Sequence, residues 1–82
     1  MSVNVEAIVI NYVESHTTKD KENILNMLPL HMQNHYVRET LEALHTEHNT
    51  LQFPSYNRRY ADFMRSMKFA LNHNVEPRGF IA

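Results

Sequence analysis

The sequence predicts an all-α fold, a compact bundle of three to four short helices, and three observations carry that prediction. Glycine is almost absent, with Gly79 the only one, so turns that need a positive φ must be few and an all-β fold is disfavoured. Pro29, Pro54 and Pro77 divide the chain into helix-sized blocks. Within those blocks the apolar residues recur at helical spacing.

The first block places Val5, Ile8, Val9, Tyr12, Val13 and His16 on one helical face, with Asn4 as its N-cap. Its β-branched content also suits a strand. The second block begins at Thr18, with Asp20 and Glu22 in the first turn, where acids complement the helix dipole. It presents Ile24, Leu25 and Leu28 before Pro29 ends it. The third runs from about Gln33 to His48, with Val37, Leu41, Leu44, His48 and Leu51 as its stripe and Ala43 beside them.

The fourth block is the longest and the most informative. Following Pro54, Ser55 is expected to cap it, and Asn72 or Asn74 to end it. Tyr56, Tyr60, Phe63, Met64, Met67, Ala70 and Leu71 form one apolar stripe. Arg58, Asp62, Arg65 and Phe69 line up on the opposite side. Residues 75–82 read as an irregular tail whose Phe80 and Ile81 are expected to fold back onto the body of a single domain spanning 1–82.

Size and composition bound the function. A chain of 82 residues buries only about 60% of its unfolded surface, so the core is thin. There is no cysteine, which removes disulfides and thiolate metal sites. The longest apolar run, Ala7-Ile8-Val9-Ile10, is far too short to span a bilayer, so direct membrane insertion is not expected. The opening residues lack a positive region and a cleavage site, and the chain reads as soluble and cytoplasmic.

Charge is unevenly distributed. Residues 1–52 hold seven acids against three bases, whereas residues 53–82 hold five bases against two acids. Such asymmetry steers association with a charged partner or with a second copy of the chain.

Catalytic and cofactor readings are weak. Among the six histidines, His31 and His35 are four apart, His45 and His48 three apart, and Glu42 to His45 spells Glu-x-x-His. A di-iron bundle needs that motif twice plus two further glutamates, and His-Glu-x-x-His is missing. His16 and His48 fall on apolar stripes, where a hydrogen-bonded core histidine is expected, so no metal site is assigned. No serine has a nucleophile-elbow context, and there is no glycine-rich phosphate loop. The chain is therefore expected to be no enzyme and to need no cofactor.

Binding is the stronger reading. Residues 20–53 can be laid on a helix-turn-helix outline, with 34–48 as a recognition helix and a nucleic-acid-binding regulator as the implied function. That helix would expose Glu39, Glu42 and Glu47 with only Arg38 to oppose them, and an acidic helix cannot supply phosphate contacts. In the fourth block, Arg58, Arg65 and Lys68 around Phe69 match the residue types enriched at protein–protein hot spots. These residues are the expected partner-binding site, and a protein is the expected partner. The thin core adds a homodimer as a second expectation.

The opening run MSVNVEAIVINYVESHTTKDKENILNMLPLHMQNHYVRETL, together with the chain's length and asparagine-rich helical character, resembles the third r-locus proteins of T-even bacteriophages. These are cytoplasmic co-antiholins. The resemblance implies a non-enzymatic role in lysis inhibition, by binding the cytoplasmic part of a membrane-embedded holin and delaying its assembly into holes. It rests on no short motif, so no functional residues are carried over.

Overall fold

Side-chain caps set three of the four α-helix starts. The computed structural model describes residues 3–79. It comprises α1 (Val5–Glu14), α2 (Thr18–Leu25), a 3-10 turn (Leu30–Met32), α3 (His35–Asn49) and α4 (Phe53–His73). Asn4 Oδ1 accepts from the Ala7 N–H at 3.0 Å, Thr17 Oγ1 from Asp20 N–H at 3.1 Å, and Asn34 Oδ1 from Val37 N–H at 3.0 Å. Each satisfies one of the amides that a helix start leaves without an internal partner.

Three local expectations are corrected. The first helix stops at Glu14 because Ser15 turns extended (ψ 152°) and its hydroxyl donates back to the Tyr12 carbonyl. His16 is thereby left exposed rather than on the apolar stripe. Leu51 lies beyond α3, not on its stripe. Its φ of 60° is left-handed, and the Leu51 and Gln52 N–H groups donate to the His48 and Glu47 carbonyls, a Schellman closure. Finally, α4 starts before Pro54 rather than after it. A proline in the first turn removes an N–H that had no helical partner anyway, so Ser55 falls inside the helix and does not cap it.

The end of α4 follows expectation. Asn74 takes the left-handed conformation (φ 54°), and both its N–H and that of Val75 donate to the Ala70 carbonyl.

Packing is organised around α3, which lies against α1 and α4, while α2 packs on α1 and the 3-10 turn on α4. Val9, Leu25, Met32, Leu41, Leu44 and Phe63 are among the side chains sealed from solvent in one shared core. Each stabilises the fold by roughly 1.5–3 kcal/mol relative to an exposed position. The radius of gyration is 12.0 Å, as a compact chain of this length requires.

After α4 the chain doubles back. Asn34 Nδ2 donates to the Pro77 carbonyl at 2.8 Å, and Ser66 Oγ donates to the Arg78 carbonyl at 2.8 Å. Pro77 is fully buried, and a Cβ added at Gly79 would stand 3.0 Å from Tyr36 Cε1. Residues 75–79 thus form a strap over α4 and the start of α3. The expected anchors Phe80 and Ile81 lie outside the described residues.

Candidate functional site

The two faces expected of α4 are both present. Phe63, Met64, Met67 and Ala70 are buried, with Tyr56, Tyr60 and Leu71 packed at the margin of the core. Arg58, Asp62, Arg65 and Phe69 are exposed on the other side. Phe69 is 58% exposed and stacks on His73, with ring centroids 4.1 Å apart. Among the described residues it is the more exposed of the two phenylalanines left largely in water, and it lies beside charged groups.

Lys68 does not join that group. Its Nζ lies 2.7 Å from Glu6 Oε1 on α1, and the hydrogen bond from Lys68 to that carboxylate raises the lysine pKa. Lys68 is thus turned toward the amino-terminal helix, while Arg58, Arg65 and Phe69 share the outer face.

The strap divides this face into two clefts that meet at Gly79. One, of about 470 Å³, is lined by Tyr36 and Thr40 of α3 and by Pro54, Ser55, Arg58, Arg59 and Asp62 of α4. The other, of about 530 Å³, is lined by Arg65, Ser66, Phe69, Val75, Glu76 and Arg78. Arg58 therefore works in one cleft, and Arg65 with Phe69 in the other. Tyr36, Ser66 and Arg78 were missed by sequence reasoning. Their only signal was the proline and glycine of the tail, which mark a turn without saying where it lands.

Behind Arg58, the Arg59 Nε donates to Glu47 Oε1, and the second carboxylate oxygen of Glu47 is buried without a hydrogen-bond partner. The acidic face of α3 is laced to its neighbours. Tyr12 donates to Glu42, which also pairs with Lys21 at 3.2 Å, while Arg38 approaches Glu22 at 3.7 Å. His35 lies 3.0 Å from Glu39 within α3. The hydrogen bond from Tyr12, aided by Lys21, lowers the Glu42 pKa, and burial beside that carboxylate raises the Tyr12 pKa.

The histidines are dispersed. His48 is half-buried against the rings of Phe53 and Tyr56, and its buried Nδ1 has no hydrogen-bond partner among the described residues, unlike the hydrogen-bonded core histidine expected there. His45 Nε2 lies 3.0 Å from the Ser15 carbonyl, where a protonated ring nitrogen would donate. Among the described residues, no three acidic or imidazole side chains are grouped to hold a metal ion.

Fold and surface together define a small helical bundle carrying a charged, aromatic face on its last helix. The chain matches no family model, and neither a curated protein nor a solved structure matches it significantly. Among the described residues, no helix is long and apolar enough to cross a membrane.

Proposed function

We propose that this protein is a small non-enzymatic regulator that binds a protein partner through the outer face of α4 and masks a surface the partner needs. One observation carries the reading: Phe69 stands exposed in a cleft it shares with Arg65 and Arg78, on a helix whose apolar stripe is already spent on the core. Arginine and aromatic side chains arranged in this way supply charge complementarity and a ring to be desolvated. The likeness to co-antiholins suggests the cytoplasmic part of a holin as the partner, with delayed hole assembly as the outcome. Inside the host cytoplasm, that role needs no catalysis.

A tagged pull-down from native lysate tests the proposal, with nuclease treatment and the Arg58→Glu, Arg65→Glu double variant as controls. Enrichment of one protein, resistant to nuclease and lost in the variant, is the expected result. Undiminished capture by the double variant would remove this face. Recovery that vanishes with nuclease would replace the proposal with nucleic-acid binding.

A further inference from the structure

We infer that the cleft between α3 and the first turns of α4 is a subsite for an acidic side chain of the partner together with adjoining peptide N–H groups. The inference rests on the protein-binding reading above and adds the chemistry the partner must bring.

Arg58 and Asp62 are one turn apart, a spacing at which opposite charges on a helix ordinarily pair. They do not pair here. Among the described residues neither enters an ion pair, and both line the same cleft of about 470 Å³. Arg59, the other cation in the cleft wall, is held by Glu47. The cleft therefore presents an uncommitted guanidinium and an uncommitted carboxylate. Tyr36, Thr40 and Ser55 add hydroxyls that no hydrogen bond among the described residues engages.

That combination selects among ligands. A simple anion gains at Arg58 and loses at Asp62, and a simple cation does the reverse. A phosphodiester chain repeats its charge along its length and meets the same opposition. A peptide segment carries both kinds of group. Its side-chain carboxylate can accept two parallel bonds from the Arg58 fork, and its backbone N–H groups can donate to Asp62. The Tyr36 ring, tilted on Phe63 at 5.7 Å and flanked by Gly79, gives the segment an apolar wall.

The test is a titration of the isotope-labelled protein, following backbone amide shifts. Three probes are used: an acetylated, amidated Ala-Glu-Ala tripeptide, its glutamine counterpart, and inorganic phosphate. The glutamyl peptide should move the amides of Thr40, Ser55, Arg58 and Asp62, with a dissociation constant of about 1 mM, the weak range expected of a single anchor. Arg58→Gln, or glutamine in the peptide, should weaken binding about tenfold or more. Asp62→Asn should weaken the peptide and strengthen phosphate.

Phosphate binding as tightly as the glutamyl peptide to the unaltered protein would overturn the inference. So would unmoved cleft amides at about 10 mM peptide. Both substitutions are at exposed positions, so the variants should keep the helical circular dichroism of the unaltered protein, which is to be checked before titration. Capture of a nuclease-resistant protein that survives Arg58→Gln would sink the subsite and leave the regulator. Peptide binding without any captured protein would do the opposite.

Discussion

Leu51 occupies a backbone position that helices commonly give to glycine. Its φ of 60° brings Cβ close to backbone oxygen, a strain of roughly 1–2 kcal/mol, and its side chain is 73% exposed and recovers little by burial. Glycine would relieve the strain at some cost in unfolded-state entropy. Leu51→Gly is therefore expected to stabilise the protein by about 0.5–1 kcal/mol in urea unfolding. A loss of stability would show that the leucine side chain packs in the native state. Tyr12 and Glu42 make a second residue-scale case. The Glu42 pKa is lowered in the fold, so its contribution is present above the unfolded carboxylate value of about 4.3 and is lost as pH falls through the folded value. The Tyr12 pKa is raised, as burial also raises those of Tyr56 and Tyr60, so their contribution holds below about pH 10 and is lost above it. Tyr12→Phe removes the largest cause of the Glu42 shift. It should flatten both the acid and the alkaline limbs of a stability–pH curve; a curve identical to that of the unaltered protein would contradict the pairing.

At the scale of the helix, α4 shows what periodicity can and cannot reveal. Its division into a buried stripe and an exposed face was legible because 3.6-residue spacing assigns each side chain a direction before anything packs. Phe63 and Phe69 are the same residue type on the two faces, sealed and 58% exposed respectively. Phe63→Ala should cost about 3–5 kcal/mol, enough to unfold a domain this small, whereas Phe69→Ala should cost under about 1 kcal/mol. Equal costs would mean that the faces are wrongly assigned. Boundaries were less legible. Periodicity carried the first block through to His16 and the third to Leu51, yet the helices stop where Ser15 turns extended and Leu51 turns left-handed. Those endings are decided by individual hydrogen bonds, and an apolar pattern runs past them without a mark. The start of α4 failed for a related reason, since a proline can stand inside the first turn as easily as before it.

Across the whole molecule, the all-α architecture was legible and the candidate site was only half so. The arginines and Phe69 could be found on one face, but Lys68 was drawn off by Glu6, and the clefts are made by contacts between residues some forty positions apart. Nothing in a local window says that residue 77 returns to residue 34. The uneven charge of the two halves does carry a whole-molecule expectation. If a protein partner is held by desolvated contacts with charge at the rim, raising salt should slow association and weaken affinity only modestly. A steep log–log dependence of affinity on salt would instead mark a polyanionic ligand.

The strap has a consequence in the order of synthesis. Growing from the ribosome, the chain delivers α1, α2 and α3 before the last helix and can begin to bury its apolar stripes as α4 emerges. The clefts, however, need Pro77 against Asn34, Arg78 on Ser66 and Gly79 beside Tyr36. The two clefts are therefore completed only after α4 has emerged, and a nascent chain that has begun to bury the stripes of α1, α2 and α3 still lacks them. On the proposed reading, recognition would wait on translation of residues 75–79.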